Sequence, residues 1–568
     1  MEPREMRFAP PRAPREQLIL YARTLDEVVP GDDPVRTLAA LLEEVDWRPW
    51  EDAYVGCGQP PIHPRYLAGA ILLGLLNKLG STRELERAAC KHMDFIWLLE
   101  GFEPDHSTFA AFRKRHARNI EDLNRFVARR LVAMREKEKG LLQLVIDGTR
   151  LRADSDRHGG RTAEFIEAVL NELNRRLEEL APEPEAPPAQ IDAFADPEPL
   201  APPEPKDPAG ARLQAKQRKY EKALAVAQER NARAQEHDGP KAKPVRVPIT
   251  DPECQITPNK EGGFAPNYTP VAAVEPQTGA IVYSDVLTGS EESAAVLPAV
   301  AAAQALMGQT PQAVVADTNF AAAEVLEALD REAIDAYMPT RSMSPPDNPA
   351  QRPDPTVPVA EPDRGRLPKQ ADKLARTAFV YNDADDVYYC PMGHTLPLHK
   401  KGLNSRGILC SYYQCEHCPD CPLAPQCLKG KTRYRTLTRD PYEPLREAAG
   451  RRMATQAGQE IYRGRAPAIE TVFALLKGGM GIRRFHLRGL ANVKTEWHWI
   501  CTAYNLKKLL HRLTAPTTKE GGRPKQPSID LAGTLNRALH HLTRFSRLFI
   551  RIGKTRQLCN LVPLPQAA

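Results

Sequence analysis

The sequence predicts a mixed α/β core, preceded by an all-α region and interrupted by a helical insertion and a Cys-rich one. Three observations predict it. Short β-prone runs alternate with helical segments over 139–158 and 247–341, and two of those runs end in aspartate. Residues 34–138 keep a helical period throughout. Residues 159–246 and 342–455 break the alternation, the first with charged helices and proline, the second with proline and clustered cysteine. The 568 residues suffice for about three or four folding units.

The formal net charge is +6, unevenly spread. Residues 111–118 and 477–512 are rich in Arg, Lys and His, whereas 178–206 is acidic and Pro-rich. A basic face on a polar chain suits an anionic polymer. Much of the proline, 53 residues in all, sits in 182–208 and 345–368, which read as linkers. The chain lacks an apolar run of the roughly 18 residues that span a membrane. Its first residues, MEPREMRFAPPRAPR, have no apolar segment of a secretory signal. A cytoplasmic protein is expected, nucleoid-associated when bound to DNA. In a reducing compartment the eleven cysteines are free thiols or metal ligands rather than disulfides.

Taken in order, residues 1–33 form an N-terminal arm with little pattern. In the helical region 34–138, LAGAILLGLLNKLG (67–80) reads as a buried helix stopped by Gly80. Ser81 and Glu84 stand at capping-box spacing before the next helix. A further helix starts after Pro104, capped by Asp105 or Ser107, and carries Arg113, Lys114 and Arg115. Short helices with a basic last member fit a helix-turn-helix-like unit, with those three residues as DNA contacts.

The first strand of the core, Leu144 to Ile146, ends at Asp147-Gly148. Residues 160–181 follow as an amphipathic helix with Phe165, Ile166, Val169, Leu170, Leu173, Leu177 and Leu180 on one stripe. A charged helix from about Ala211 to Glu236 completes a helical insertion, which reads equally as a coiled-coil hairpin for self-association or as a single solvated helix. Strands at 268–275 and 280–288 flank Pro276-Gln277-Thr278-Gly279, a hairpin signal. A helix leads to QAVVADTNF, a short strand ending at Asp317, and a helix and strand follow. Both aspartates therefore lie at strand ends, where such folds place ligands.

The Cys-rich insertion offers Cys390, Cys415, Cys418, Cys421 and Cys427, with His394, Cys410 and His417 nearby. CxxC pairs at this spacing suit a structural Zn2+ of four Cys or His ligands, with an iron–sulfur cluster as the lesser option. Within 456–513, Ala466 to Leu476 is a helix ended by Gly478 and Gly479. Glu470 and Lys477 leave one face of it, roughly 10 Å apart along the axis. The remainder to 513 is helical with a basic face, and 514–568 is a C-terminal extension ending in a short helical segment.

Three carboxylates from different elements, Asp147, Asp317 and Glu470, follow the logic of two-metal phosphoryl transfer. Two Mg2+ or Mn2+ ions need bridging and flanking carboxylates to activate a nucleophile and stabilise a leaving oxygen. Lys477 and Arg465 are placed to hold phosphates near that centre.

These segments resemble the DDE transposases of bacterial insertion sequences. IDGTRLRAD carries the first aspartate, VVADTNF the second, and YRGRAPAIETVFALLKGGMGIRRFHLRGL the glutamate. AYNLKK closes the domain, and PPIHPRYLAGAILLGLL, STRELE and PDHSTFAAFRKR resemble the family's N-terminal helical domain. The Cys-rich segment resembles an insertion carried by one branch of the family. The resemblance implies an RNase H-like core in which Asp147, Asp317 and Glu470 bind the divalent metals. It implies DNA contacts from Tyr462, Arg465 and Lys477, joined by Arg483, Arg484 and Arg488. Four residues separate Arg465 from Glu470 where the commonest signature has three, and Asn319 stands where many relatives have Gly.

The expected function is a transposase that binds terminal inverted repeats in double-stranded DNA as a homodimer. It would cleave at the element's ends and join the 3′-hydroxyls to target DNA. The alternatives are a catalytically inactive or repurposed DNA-binding derivative and a metal-dependent nuclease.

Overall fold

The computed structural model describes residues 18–19, 23–54, 59–135, 142–180, 208–239, 241–258, 262–289, 291–404 and 407–514. Most of the expected N-terminal arm, the Pro-rich linker at 182–207 and the extension 515–568 lie outside the described residues.

The core is a mixed sheet of β1 (Gln143–Gly148), β2 (Leu151–Arg152), β3 (Gln255–Pro258), β4 (Phe264–Glu275), β5 (Ala280–Leu287), β6 (Ala313–Val315) and β7 (Asp335–Tyr337). Its hydrogen-bonded path runs β7-β6-β1-β4-β2, and β3 and β5 also pair with β4. The β6 strand is parallel to β7 and β1, whereas β4 is antiparallel to all its partners. Buried β-branched and alanine side chains fill β1, β4 and β6, as strands covered on both faces require. The expected hairpin joins β4 to β5. Gly279 takes the left-handed conformation there (φ +68°), and the Glu275 carboxylate accepts the turn amides of Gln277 and Thr278.

Helices cover the sheet. Val296–Met307 is Ala-rich and stops at Gly308, which has a left-handed backbone. The long helix Leu490–Thr514 crosses β4 and β5. On it, Trp497 Nε1 donates to the Val271 carbonyl at 3.1 Å. Asn505 imitates a strand residue. Its Oδ1 accepts the Ile281 amide at 2.8 Å, and its Nδ2 donates to the Ile281 carbonyl at 2.8 Å and to Asn124 at 3.1 Å.

The N-terminal helices share this core. Trp50 packs edge-on against Trp499 (centroids 6.2 Å apart), and one continuous set of buried residues joins both regions. The buried helix is Pro64–Leu76, ending earlier than expected, and the next one, Thr82–Lys91, carries the capping box of Ser81 and Glu84. Asp105, not Ser107, caps His106–Arg115 by accepting the Thr108 amide. That capping holds the Asp105 carboxyl at about 2. No helix among the described residues is long and apolar enough to cross a membrane.

The helical insertion is a hairpin of Ala163–Leu180 and Pro208–Asp238, sealed by Ala163, Ile166, Leu170, Ala223 and Ala227. Two members of the expected stripe, Phe165 and Leu180, are instead exposed. They lie off the narrow seam that two small alanines accept. The second Pro-rich stretch is not a linker. Ala350, Val359 and Leu367 are buried in the core of the Cys-rich insertion, since proline-bounded turns expose few amides that need partners. That insertion contains two three-stranded antiparallel sheets and a hairpin. It joins the main core through Glu443, a fully buried carboxylate paired with Arg341, Arg376 and Arg446.

Candidate active site

The register of β1 and β6 brings two carboxylates together. Val145 pairs with Val315 on parallel neighbours. Asp147 and Asp317 each lie two residues further, so both leave the same face at the same end, about one strand spacing apart. Asp147 Oδ1 accepts the Gly148 amide at 2.9 Å, and Asp317 Oδ1 accepts the Asn319 amide at 2.8 Å. Each carboxylate is thereby oriented by the turn that ends its own strand.

Arg465 stands between them. Its guanidinium is 3.1 Å from Asp147 and 3.8 Å from Asp317, and its buried Nε has no hydrogen-bond partner among the described residues. Arg465 opens the helix Arg465–Ala474, which packs on β1 through Ile469, Val472 and Phe473. Pro467 is tolerated in the first turn, where no intrahelical donor is needed. Tyr462 lies beside this group, and burial raises its hydroxyl's pKa while Arg465 lowers it.

The third predicted carboxylate is placed differently. Glu470 is exposed on Arg465–Ala474 and has no hydrogen-bond or ion-pair partner among the described residues. Among those residues no three His, Cys, Asp or Glu side chains form a metal-holding group. The paired aspartates do fit a hard divalent cation, because oxygen donors converge where one cationic side chain already sits.

Beyond Ala474 the helix does not continue as α. Residues Leu475–Gly479 form a π turn, closed by the Met480 amide on the Leu475 carbonyl at 2.8 Å. Single π turns of this kind concentrate at functional sites. Lys477 therefore leaves the strict α register with Glu470. Its Nζ donates to Thr149 Oγ1 at 2.5 Å and to the Arg150 carbonyl at 3.2 Å, just after Asp147.

The basic candidates divide by exposure. Arg483, Arg484 and Arg488 are all exposed, the last two pairing with Asp154 at 3.2 and 2.9 Å. Lys114 and Arg115 are exposed, with Arg115 over the Tyr54 ring. Arg113 is not a surface residue. It is 5% exposed, and its guanidinium lies 3.5 Å from the Gly80 carbonyl. It follows the buried Phe112 on the core side of its helix, which a run of three basic letters conceals.

The sequence reading missed Glu292. It opens the 3-10 turn Glu292–Ala295 after β5, and its Oε2 accepts Asn319 Nδ2 at 3.4 Å. Burial raises its carboxyl's pKa, Asn319 lowers it, and Asp317 and Asp147 raise it further. Asn319 has no positive φ, so its departure from Gly carries no backbone strain. Thr149 was missed too, although it adjoins the Asp-Gly pair.

The cysteines of the insertion converge without forming a metal-holding group. Cys390, Cys415, Cys418, Cys421 and Cys427 line one small cavity with His394 and His417, whose rings stack at 4.6 Å. Their side chains pack like small apolar residues and partner one another and the backbone. Cys418 Sγ donates to the Cys415 carbonyl at 3.5 Å, and a bond with Cys415 lowers Cys390 to about 7. Cys410 is buried but does not line this cavity.

Residues 389–510 match the family model described as Transposase DDE domain, and residues 23–115 match the one described as Transposase domain (DUF772). The first match includes Tyr462, Arg465, Glu470 and Lys477 but neither aspartate. No match to the chain was found among curated proteins.

Proposed function

We propose, for a chain that these two matches make a DDE transposase of the insertion-sequence type, that it binds the inverted repeats of its element, cleaves the DNA there and joins the freed 3′-hydroxyls to target DNA. The observation that carries this reading is the Asp147–Asp317 pair, set at one register position with the Arg465 guanidinium between the two carboxylates.

Asp147 and Asp317, joined by Glu470, would hold Mg2+ or Mn2+. The bound cation supplies Lewis-acid stabilisation of charge at the scissile phosphate. The residues of the chain do the rest. Arg465 moves from the aspartates to a DNA phosphate, a fork-shaped donor exchanging one oxyanion for another. Lys477, fixed by Thr149 and the Arg150 carbonyl, directs a positive charge at the strand beside Asp147. Tyr462, Lys114, Arg115, Arg483, Arg484 and Arg488 supply backbone contacts that position the duplex. Two ends must be held together, so the working form on DNA is a homodimer. A structural Zn2+ would belong to the same proposal, with Cys390, Cys415, Cys418, Cys421 and Cys427 as its candidate ligands, which line one cavity without forming a metal-holding group.

The test is strand cleavage of a labelled duplex carrying the element's end, in Mg2+, by wild type and Asp317→Asn. The reading expects the variant to keep DNA affinity and lose cleavage. Equal loss of both would remove Asp317 from the chemistry, and binding without cleavage by wild type would favour an inactive DNA-binding derivative. Cleavage without joined product would favour a nuclease.

A further inference from the structure

We infer that Glu292 is a fourth carboxylate of this centre and lends its charge to the divalent cation that Asp147 and Asp317 would hold. The inference rests on the reading that the centre works with such a cation.

Space at Gly148 is the first support. A Cβ built there would lie 3.0 Å from Glu292 Oε1 and 3.2 Å from its Cδ. Gly148 has no positive φ, so a side chain there would act through space, pushing the Glu292 carboxyl away by a few tenths of an ångström. The residue after Asp147 is thus left bare where the Glu292 carboxyl rests. A second support is the link to Asp317. Asn319 donates its backbone amide to Asp317 and its side-chain amide to Glu292. One residue therefore sets two carboxylates that come from separate turns.

Charge is the third. The Arg465 guanidinium contacts the two aspartates, and for Glu292 the nearby cationic charge is that of Arg150, so three carboxylates share two guanidinium groups. Glu292 is half-buried, its hydrogen bond is to a neutral amide and the two aspartates repel it, so a further cation beside Arg150 would stabilise its charge. A brace for Asn319 alone would need an acceptor, which glutamine supplies equally well.

That difference sets the experiment. Mn2+ binding to the full chain without DNA is measured by titration with electron paramagnetic resonance, for wild type, Glu292→Gln, Gly148→Ala and Asp317→Asn. Glu292→Gln keeps the acceptor for Asn319 and removes only the charge. Its Mn2+ affinity should fall about tenfold or more, with the melting temperature in the absence of metal unchanged or raised. Gly148→Ala, which displaces the carboxyl while keeping it, should weaken Mn2+ in the same direction. If Glu292→Gln binds Mn2+ like wild type while Asp317→Asn does not bind, Glu292 lies outside the centre and the transposase reading stands. If wild type itself binds no Mn2+, that reading and this inference fail together.

Discussion

The Arg465 guanidinium lies 3.1 Å from the Asp147 carboxylate, at the point where Asp317 approaches from the neighbouring strand. One guanidinium therefore offsets half of the charge of the pair, and its removal would leave two partly buried carboxylates facing each other without it. Arg465→Gln should lower stability without metal by about 1–3 kcal/mol. Mn2+ should raise the melting temperature of the variant more than that of wild type. Thermal melts with and without Mn2+ check this, and an equal metal response would show that Arg465 does not occupy the cation's place.

Asn505 satisfies both backbone groups of Ile281 within a dry core. Leucine there would strand an amide and a carbonyl at the edge of β5. Asn505→Leu is expected to cost at least about 2 kcal/mol in urea unfolding. A neutral effect would mean that β5 finds other partners.

Glu443 is fully buried among Arg341, Arg376 and Arg446, where the Cys-rich insertion meets the core. Removing it takes the carboxylate partner from Arg376, while Arg341 and Arg446 keep Asp440. Glu443→Ala should destabilise by about 3–5 kcal/mol, and limited proteolysis should cut first within 342–442. Wild-type resistance to protease would contradict this.

His116 is buried against Trp50 and Phe112, and burial lowers its pKa from 6.5 to about 4. A histidine whose folded value is depressed binds its proton more readily when unfolded. Its contribution to stability is therefore present above about pH 6.5 and is lost as pH falls towards 4. His116→Phe should flatten that part of the stability profile, and an unchanged acid limb would assign it to other groups.

How far the site was legible follows from the kind of signal each residue leaves. Asp147 and Asp317 were legible because each ends a short buried strand, and strand ends are marked by apolar runs meeting Asp and a turn. The hairpin between β4 and β5 and the Ser81–Glu84 capping box were legible for similar local reasons. Glu292 left no trace, because it follows Gly-Ser-Glu in a polar turn and only the three-dimensional approach to Gly148 singles it out. Arg113 misled because helix phase, not composition, decides which of three adjacent basic residues is buried. The π turn after Ala474 was hidden because Leu475-Leu476-Lys477 reads as ordinary helix. The Pro-rich stretch at 345–368 misled because proline marks irregular backbone, whether that backbone is free or packed.

The central claim is that Glu470 works with the two aspartates, although it stands exposed one turn beyond Arg465. The most direct test is transfer of a labelled element end into a target plasmid in Mg2+, comparing wild type with Glu470→Gln. The account predicts covalently joined product from wild type and loss of at least about two orders of magnitude in the variant, on the scale of removing one transition-state-stabilising group. Joined product from Glu470→Gln at the wild-type rate would contradict it.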